Sequence, residues 1–188
     1  MPGSTALCVE PDPANLEIGR RNLAINNRTA KLVQAAVGRP SMRLSRRVGG
    51  ECLDMDAVLE RVGGRPIEVL HMDVQGAELA FIQSMRRAVE AGKVRFLVVS
   101  THHESISDST TTHEDCLAAI EALGATVFAA HDVFESFSGD GLIVASFAPG
   151  DRSIVLPAIS RNVRGRSLFA GWISRGGIAT AAAMTPPS

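Results

Sequence analysis

The sequence has few of the features that mark secreted, membrane-spanning or nucleic-acid-binding proteins. Its three cysteines are widely spaced among 188 residues, so neither a disulfide framework nor a structural zinc site is predicted. No basic amino-terminal segment precedes an apolar stretch, and no run approaches the roughly 20 apolar residues that span a bilayer. The formal net charge of -1 gives no reason to expect nucleic acid or an anionic membrane as partner. We therefore expect a soluble, cytoplasmic protein.

The chain is long and apolar enough for one domain. With 188 residues, 45% of them hydrophobic, it can bury a core of ordinary size but not two. We assign the domain to residues 1–150 and a carboxyl-terminal extension to residues 151–188. The last part of the extension is rich in small residues and proline, so we expect it to be disordered.

Apolar runs and helical patterns alternate along the domain. Asp12 and Pro13 form the start signal of a first helix, and Thr112 with Asp115 resembles the capping box of a later one. The alternation predicts an α/β fold with a largely parallel sheet, whose sites lie at the carboxyl ends of the strands. The predicted strands are Ala6–Val9, Lys31–Val37, Ile67–Asp73, Val94–Ser100, Thr126–Ala130 and Leu142–Phe147. The predicted helices cover about 13–26, 54–62, 76–89 and 112–123, and Arg39–Glu51 is predicted to be a loop.

Acidic residues stand at two of these strand ends. Glu10 ends the first predicted strand, where a carboxylate can accept hydrogen bonds from the ribose hydroxyls of a nucleoside. Asp73 ends another strand, and Glu78 follows in the first turn of the next helix. The last two carboxylates should share one cleft, where they can hold a cation, accept a proton or cap the helix. Because strand ends meet water, an acid there can also be an ordinary surface residue.

Four of the five histidines fall within thirty residues. His102 and His103 follow the Val94–Ser100 strand, and His113 and His131 come next, with Asp132, Glu135 and Asp140 nearby. Histidine with carboxylates can bind a divalent metal, and an unprotonated histidine can act as a base. The candidate metal ligands are His102, His103 and His131, although their spacing fits no metal template that we know. A polar loop and a helix cap explain His113 better than a metal site does.

Four sequence strings in a fixed order resemble the FkbM methyltransferases. They are Val9-Glu-Pro-Asp-Pro13, Arg21-Asn-Leu-Ala-Ile-Asn26, Val33-Gln-Ala-Ala-Val-Gly38 and Met72-Asp-Val-Gln-Gly-Ala-Glu-Leu79. The resemblance covers residues 6–147 and implies a Rossmann-like class I methyltransferase sheet, mostly parallel with an antiparallel last strand. It further implies S-adenosylmethionine as cofactor and a small-molecule methyl acceptor.

The resemblance also implies roles for individual residues. Glu10 would contact the ribose of S-adenosylmethionine, Ala35, Ala36 and Val37 would line its adenine, and Asp73 would lie beside the transferring methyl group. The catalytic candidates are therefore Asp73 and Glu78, with His103 as a second possible base. Gln75 replaces the glutamate that is usual in this motif.

The resemblance further implies that the central strand of the sheet is missing. The family's strand order is 3-2-1-4-5-7-6, and strand 1, with its glycine-rich cofactor loop, would precede Met1. Two outcomes are open: strands 2 and 4 pair directly, or the gap persists and leaves backbone groups without partners on both sides. An exposed sheet edge of this kind could associate with another chain.

The leading functional hypothesis is methyl transfer from S-adenosylmethionine to an oxygen of a small molecule or sugar. The alternatives are a non-catalytic remnant of such a domain and a metal-dependent enzyme that uses His102, His103 and His131. An NAD-dependent dehydrogenase would also use an acid like Glu10, but nothing downstream resembles a hydride-transfer site.

Overall fold

The computed structural model describes residues 4–38, 51–136 and 139–157 and has a mixed α/β architecture. The strands are β1 (Leu7–Val9), β2 (Lys31–Val33), β3 (Ala35–Val37), β4 (Glu51–Leu53), β5 (Ile67–Met72), β6 (Val94–His102), β7 (Thr126–His131) and β8 (Asp140–Ser146). The helices are α1 (Pro13–Ile25), α2 (Met55–Arg61), α3 (Glu78–Ser84), α4 (Arg86–Glu90), α5 (Glu104–Ser107) and α6 (Thr112–Ala122). Two short 3-10 helices span Val133–Glu135 and Pro149–Ser153.

One of the two predicted helix start signals is confirmed. Asp12 caps α1, because its side chain accepts a hydrogen bond from the Ala14 amide at 2.7 Å, and Pro13 is the first helical residue. The predicted capping residue of α6 is wrong by one position. Thr111 is the N-cap residue of that helix, and its hydroxyl donates to the Asp115 carboxylate at 2.7 Å instead of accepting a hydrogen bond from a backbone amide.

The predicted strand Lys31–Val37 is two strands. The chain changes pairing partner at Gln34, since β2 pairs in parallel with β1 whereas β3 pairs in parallel with β4. The short β4 was not predicted, and it begins where the predicted loop ends. Most of that loop, residues 39–50, lies outside the described residues.

The largest sheet contains four strands in the order β5-β6-β8-β7. β5 and β6 are parallel, whereas β8 runs antiparallel to both of its neighbours. The last strand of the described residues is therefore antiparallel, as predicted. Because β6 and β8 run in opposite directions, the first residue of β8 lies opposite the last residue of β6, and Asp140 faces His102 in the register.

The two halves of the predicted sheet are not joined by strand pairing. In the described part of the chain β1 pairs with β2 alone and β5 with β6 alone, so the direct pairing of β1 with β5 does not occur. β5 includes an exposed apolar residue, Val69, with 55% of its surface accessible. Parallel strands usually lie inside a sheet, with a neighbouring strand on each side. Among the described residues β5 is instead an edge strand.

The core lies between the four-stranded sheet and helices α2 to α4 and α6. Its fully buried side chains include Phe81 and Ile82 of α3, Leu97 of β6 and Ile120 of α6. Burial of each such side chain contributes about 1.5–3 kcal/mol, so this core fixes the sheet that carries the site described below.

The described chain stays attached to the sheet beyond β8. The Arg95 guanidinium of β6 donates two hydrogen bonds to the buried carboxylate of Asp151, at 3.0 and 2.8 Å. The predicted disorder near the carboxyl terminus falls on residues outside those described, and the boundary at residue 150 stays a prediction. None of the helices in the described ranges is long and apolar enough to cross a bilayer.

Candidate active site

The ends of three strands bring charged side chains to one edge of the four-stranded sheet. Asp73 follows β5 directly, His102 ends β6, and Asp140 begins the antiparallel β8. Parallel strands place their carboxyl ends together, and the reversed direction of β8 brings its amino end to the same edge. The sequence-predicted Asp73 therefore lies at the expected place.

His102 lies between carboxylates and is almost fully buried. Its Nδ1 is 2.7 Å from Glu78 Oε1 and its Nε2 is 3.0 Å from Asp73 Oδ1, while Asp140 Oδ1 is 3.7 Å from the same Nε2. The imidazole is 4% exposed. Both ring nitrogens thus face negatively charged groups, an arrangement that favours the protonated ring.

Glu78 is a carboxylate inside the protein core. Its side chain has no solvent exposure, and it accepts hydrogen bonds from His102 Nδ1 and from the Gly76 amide, the latter at 2.9 Å. A buried charge is costly unless it is paired and hydrogen-bonded, and Glu78 has both kinds of partner. Its place in the first turn of α3 also gives a favourable interaction with the helix dipole.

The loop that connects β5 to α3 has a constrained backbone. Gln75 and Gly76 both have positive φ angles, of 53° and 103°. A Cβ atom at Gly76 would lie 3.1 Å from the Ser107 Cα, so α5 packs against the loop at a position where only glycine fits well. This contact holds the Gly76 amide in place, and that amide orients Glu78.

The electrostatics of the cluster raise the pKa of His102 above its ordinary value. Burial of the ring is the largest single effect and acts in the opposite direction, but it is outweighed by the hydrogen bond and charge of Glu78, followed by the charges of Asp140 and Asp73. The buried thiol of Cys116 has a pKa raised to about 12 by its burial, with smaller effects from Glu78 and Asp115. That thiol therefore adds no charge to the cluster at neutral pH.

His103, the predicted second base, has contacts with a neighbouring helix start and a phenylalanine ring. It caps α5, because its Nδ1 accepts a hydrogen bond from the Ser105 amide at 3.2 Å. Its ring packs edge-on against Phe134, with centroids 6.2 Å apart. The structure therefore brings Asp73 and Glu78 together with His102 rather than with His103.

The remaining histidines do not complete a metal site. His113 Nδ1 is 2.8 Å from the Thr101 hydroxyl in a buried contact, and burial lowers the pKa of this ring. His131 Nδ1 is 3.1 Å from a Glu135 carboxylate oxygen. Among the described residues, no group of three or more histidine, cysteine, aspartate or glutamate side chains could hold a metal ion. The proposed trio of His102, His103 and His131 is therefore not assembled.

The predicted cofactor contacts lie in and beside β1 and β3, which belong to two other sheets than β5. Glu10 is half-buried at the end of β1, and its Oε1 accepts hydrogen bonds from the Asp12 amide at 2.8 Å and from the Asn15 side chain at 3.4 Å. In β3, Ala35 and Ala36 are buried and Val37 is half-buried. Gly38, directly after β3, packs against Ala77 at the start of α3, so this segment adjoins the loop that carries Gly76.

An α/β domain with paired acids at its strand ends is the architecture of many small-molecule enzymes, so fold alone does not select a chemistry. Comparison with known proteins gives the family. The model of the methyltransferase FkbM domain matches residues 2–127, about two thirds of the chain, and the chain therefore belongs to this family. The match includes Asp73, Glu78 and His102 but ends before Asp140. No curated protein and no solved structure matches the chain.

Proposed function

We propose that this protein is an S-adenosylmethionine-dependent methyltransferase that acts on an oxygen atom of a small molecule or sugar. The observation that carries the proposal is the Asp73 carboxylate held at the end of β5 within a domain of the FkbM family. The β5-β6-β8-β7 order, with β8 antiparallel, is also the one expected for the second half of a Rossmann-like class I methyltransferase sheet.

Glu10 and the β3 segment are the proposed cofactor contacts. The Glu10 carboxylate is held by the Asp12 amide and keeps further lone pairs for the two ribose hydroxyls, which would donate to it. Ala35 to Val37 would form an apolar surface beside the adenine. When bound, the cofactor would supply an electrophilic methyl group on sulfur.

Asp73 is the proposed acceptor of the proton from the substrate hydroxyl. Its side chain is 56% exposed, so a substrate can reach it, whereas His102 is almost fully buried. In the proposed transfer the substrate oxygen would accept the methyl group that the cofactor supplies, and Asp73 would accept the proton that the hydroxyl loses. Positioning of the two reactants and removal of this proton would provide most of the rate enhancement.

The open edges of β1 and β5 favour a second candidate, a domain that is not catalytic by itself. Each of these strands lacks a described pairing partner on one side, and Val69 of β5 exposes apolar surface. Such an edge can pair with a strand of another chain. In this case the chain would bind S-adenosylmethionine weakly or not at all until the edge is filled.

A reducing, cytoplasmic location is part of the proposal. The three cysteines are free, and they differ in environment: Cys8 is exposed, Cys52 half-buried and Cys116 buried. Thiols at three such unrelated positions are typical of a reducing compartment.

Calorimetric titration with S-adenosylmethionine tests the proposal directly. We expect binding by the wild-type chain and loss of binding in Glu10→Ala, with Glu17→Ala on the exposed surface of α1 as the matched control. Transfer of a labelled methyl group to a panel of hydroxylated acceptors then tests the chemistry. If millimolar cofactor gives no binding, the methyltransferase proposal fails for this chain and the non-catalytic candidate stands.

A further inference from the structure

Glu78, His102 and Asp73 form a continuous chain of contacts from the core to the surface. The exposed fractions of their side chains increase along it, from 0% through 4% to 56%. Only Asp73 can touch a substrate of any size. Burial of a carboxylate in a core costs free energy, and Glu78 is not accessible to a substrate. Any role of Glu78 in the site must therefore act through His102, which it contacts.

The distances define the protonation state of the imidazole. Ionised carboxylates accept hydrogen bonds but cannot donate them, so each close contact requires a proton on the ring nitrogen. Nδ1 at 2.7 Å from Glu78 and Nε2 at 3.0 Å from Asp73 both meet this condition. With ionised carboxylates on both sides, His102 is an imidazolium that donates to each of them, in agreement with the raised pKa of its ring.

The charged groups around the ring come from three elements. Glu78 approaches from α3, Asp73 from the end of β5, and Asp140 from β8 at 3.7 Å. One imidazole thus faces three carboxylates. Water screens the charges of Asp73 and Asp140, which are partly exposed, but it does not reach Glu78. Glu78 therefore contributes most to holding the proton on His102.

We propose that Glu78 and His102 are positioning residues that hold the Asp73 carboxylate in the orientation for proton abstraction. This inference deepens the proposed methyl transfer and rests on it. Glu78 fixes the ring through Nδ1, the ring fixes Asp73 Oδ1 through Nε2, and the second oxygen of Asp73 accepts the substrate proton. His102 itself never takes that proton, because it is already protonated on both nitrogens.

Two substitutions of the same residue separate the two contacts of the ring. The amide nitrogen of asparagine takes the place of Nδ1, and that of glutamine takes the place of Nε2. His102→Asn thus keeps the donor to Glu78 and loses the donor to Asp73, whereas His102→Gln does the reverse. We expect His102→Asn to lower kcat by about 10–100-fold with little change in KM, and His102→Gln to retain more of kcat.

The stability of the two variants should follow the opposite order. Both variants remove the charge of the ring, but His102→Gln also leaves the buried Glu78 carboxylate without a donor in place of Nδ1 and should have the lower midpoint of urea unfolding. His102→Asn keeps a neutral amide donor to Glu78 and should unfold closer to the wild type. A purely structural role of His102 would instead make the less stable variant the less active one.

A titration of the His102 ring by nuclear magnetic resonance tests the arrangement without any assay of activity. In the wild type we expect the pKa of the ring to lie above its ordinary value. Glu78→Gln should lower this pKa, whereas Glu90→Gln, which removes an exposed carboxylate from the neighbouring helix α4, should leave it unchanged.

Three outcomes would overturn the inference. They are an unprotonated His102 at neutral pH in the wild type, an unchanged ring pKa in Glu78→Gln, and equal kcat values for His102→Asn and His102→Gln. A wild-type chain without cofactor binding would end the methyltransferase proposal and the catalytic part of the inference with it. The titration would then still decide whether Glu78 holds His102 as a cation.

Discussion

Gly141 occupies a position in β8 where the structure leaves no room for a side chain. A Cβ atom there would lie 2.3 Å from the Thr101 hydroxyl, 2.7 Å from His113 Nδ1 and 2.9 Å from the His131 carbonyl oxygen. All three are well inside van der Waals contact, and the last belongs to the backbone of β7. Gly141→Ala must therefore displace the buried pair of Thr101 and His113 or separate β8 from β7.

The cost of Gly141→Ala has two parts. Overpacking of a close-packed interior costs about 1–3 kcal/mol. Breaking the 2.8 Å hydrogen bond between Thr101 and His113 leaves buried polar groups unsatisfied, at a further cost of about 1–3 kcal/mol. Allowing for partial relaxation, we expect a loss of about 3 kcal/mol in the free energy of unfolding. For a domain of this size that corresponds to a fall in Tm of roughly 6–12 °C.

Urea unfolding followed by circular dichroism measures this loss, and Gly19→Ala is the matched control. Gly19 lies inside α1 with no atom near the position of its missing Cβ, so the same substitution should stabilise the protein by roughly 0.5–1 kcal/mol. The opposite signs at the two glycines are the diagnostic result. A Gly141→Ala variant within about 0.5 kcal/mol of the wild type would refute the packing argument.

Three further predictions follow from other parts of the chain. Glu10→Gln keeps the oxygen that accepts from Asp12 but removes the charge, so S-adenosylmethionine should bind at least ~10-fold more weakly in calorimetry, with unchanged unfolding. The pKa of Asp151 is lowered to about 2 by its hydrogen bonds to Arg95 and Ser146, so its contribution to stability is present above about pH 4 and lost as the pH falls towards 2. Thermal unfolding of Asp151→Asn should show a lower Tm at neutral pH and a smaller acid-induced decrease than the wild type, and parallel curves would contradict this. Val69→Lys should reduce self-association through the open edge of β5 in sedimentation experiments, whereas equal association would exclude that edge as the contact.

Most of the fold was predictable because its elements carry strong local signals. Asp12 followed by Pro13 fixes the start of α1, and the apolar run from Val94 predicts β6. The split of the second strand at Gln34 was not predictable, because it depends on which partner each half meets. The three-residue β4 is too short to show periodicity, and it exists through its pairing with β3.

The sequence predicted the two acidic residues of the site, but it did not identify which histidine joins them. Asp73 and Glu78 belong to a motif with a fixed place at a strand end, and the structure brings both to one ring. The choice between His102 and His103 depends on where β6 ends, because neighbouring strand residues point to opposite faces. β6 continues two residues beyond its apolar run, so His102 is still in the strand and His103 already caps the next helix. Only the register with Asp140 on β8 reveals this length.

The separation of β1 and β2 from the four-stranded sheet also bears on how the molecule opens in solution. Amide protons of β6 are shielded by strands on both sides, whereas those of β1 are shielded by β2 alone. The segment from β1 to β2 should thus exchange its amide protons with solvent at lower free energy than β6, as a separate cooperative unit. The β1–β2 unit carries Glu10, whereas the four-stranded sheet carries Asp73. Binding of a ligand at Glu10 therefore need not show that the residues around Asp73 are ordered.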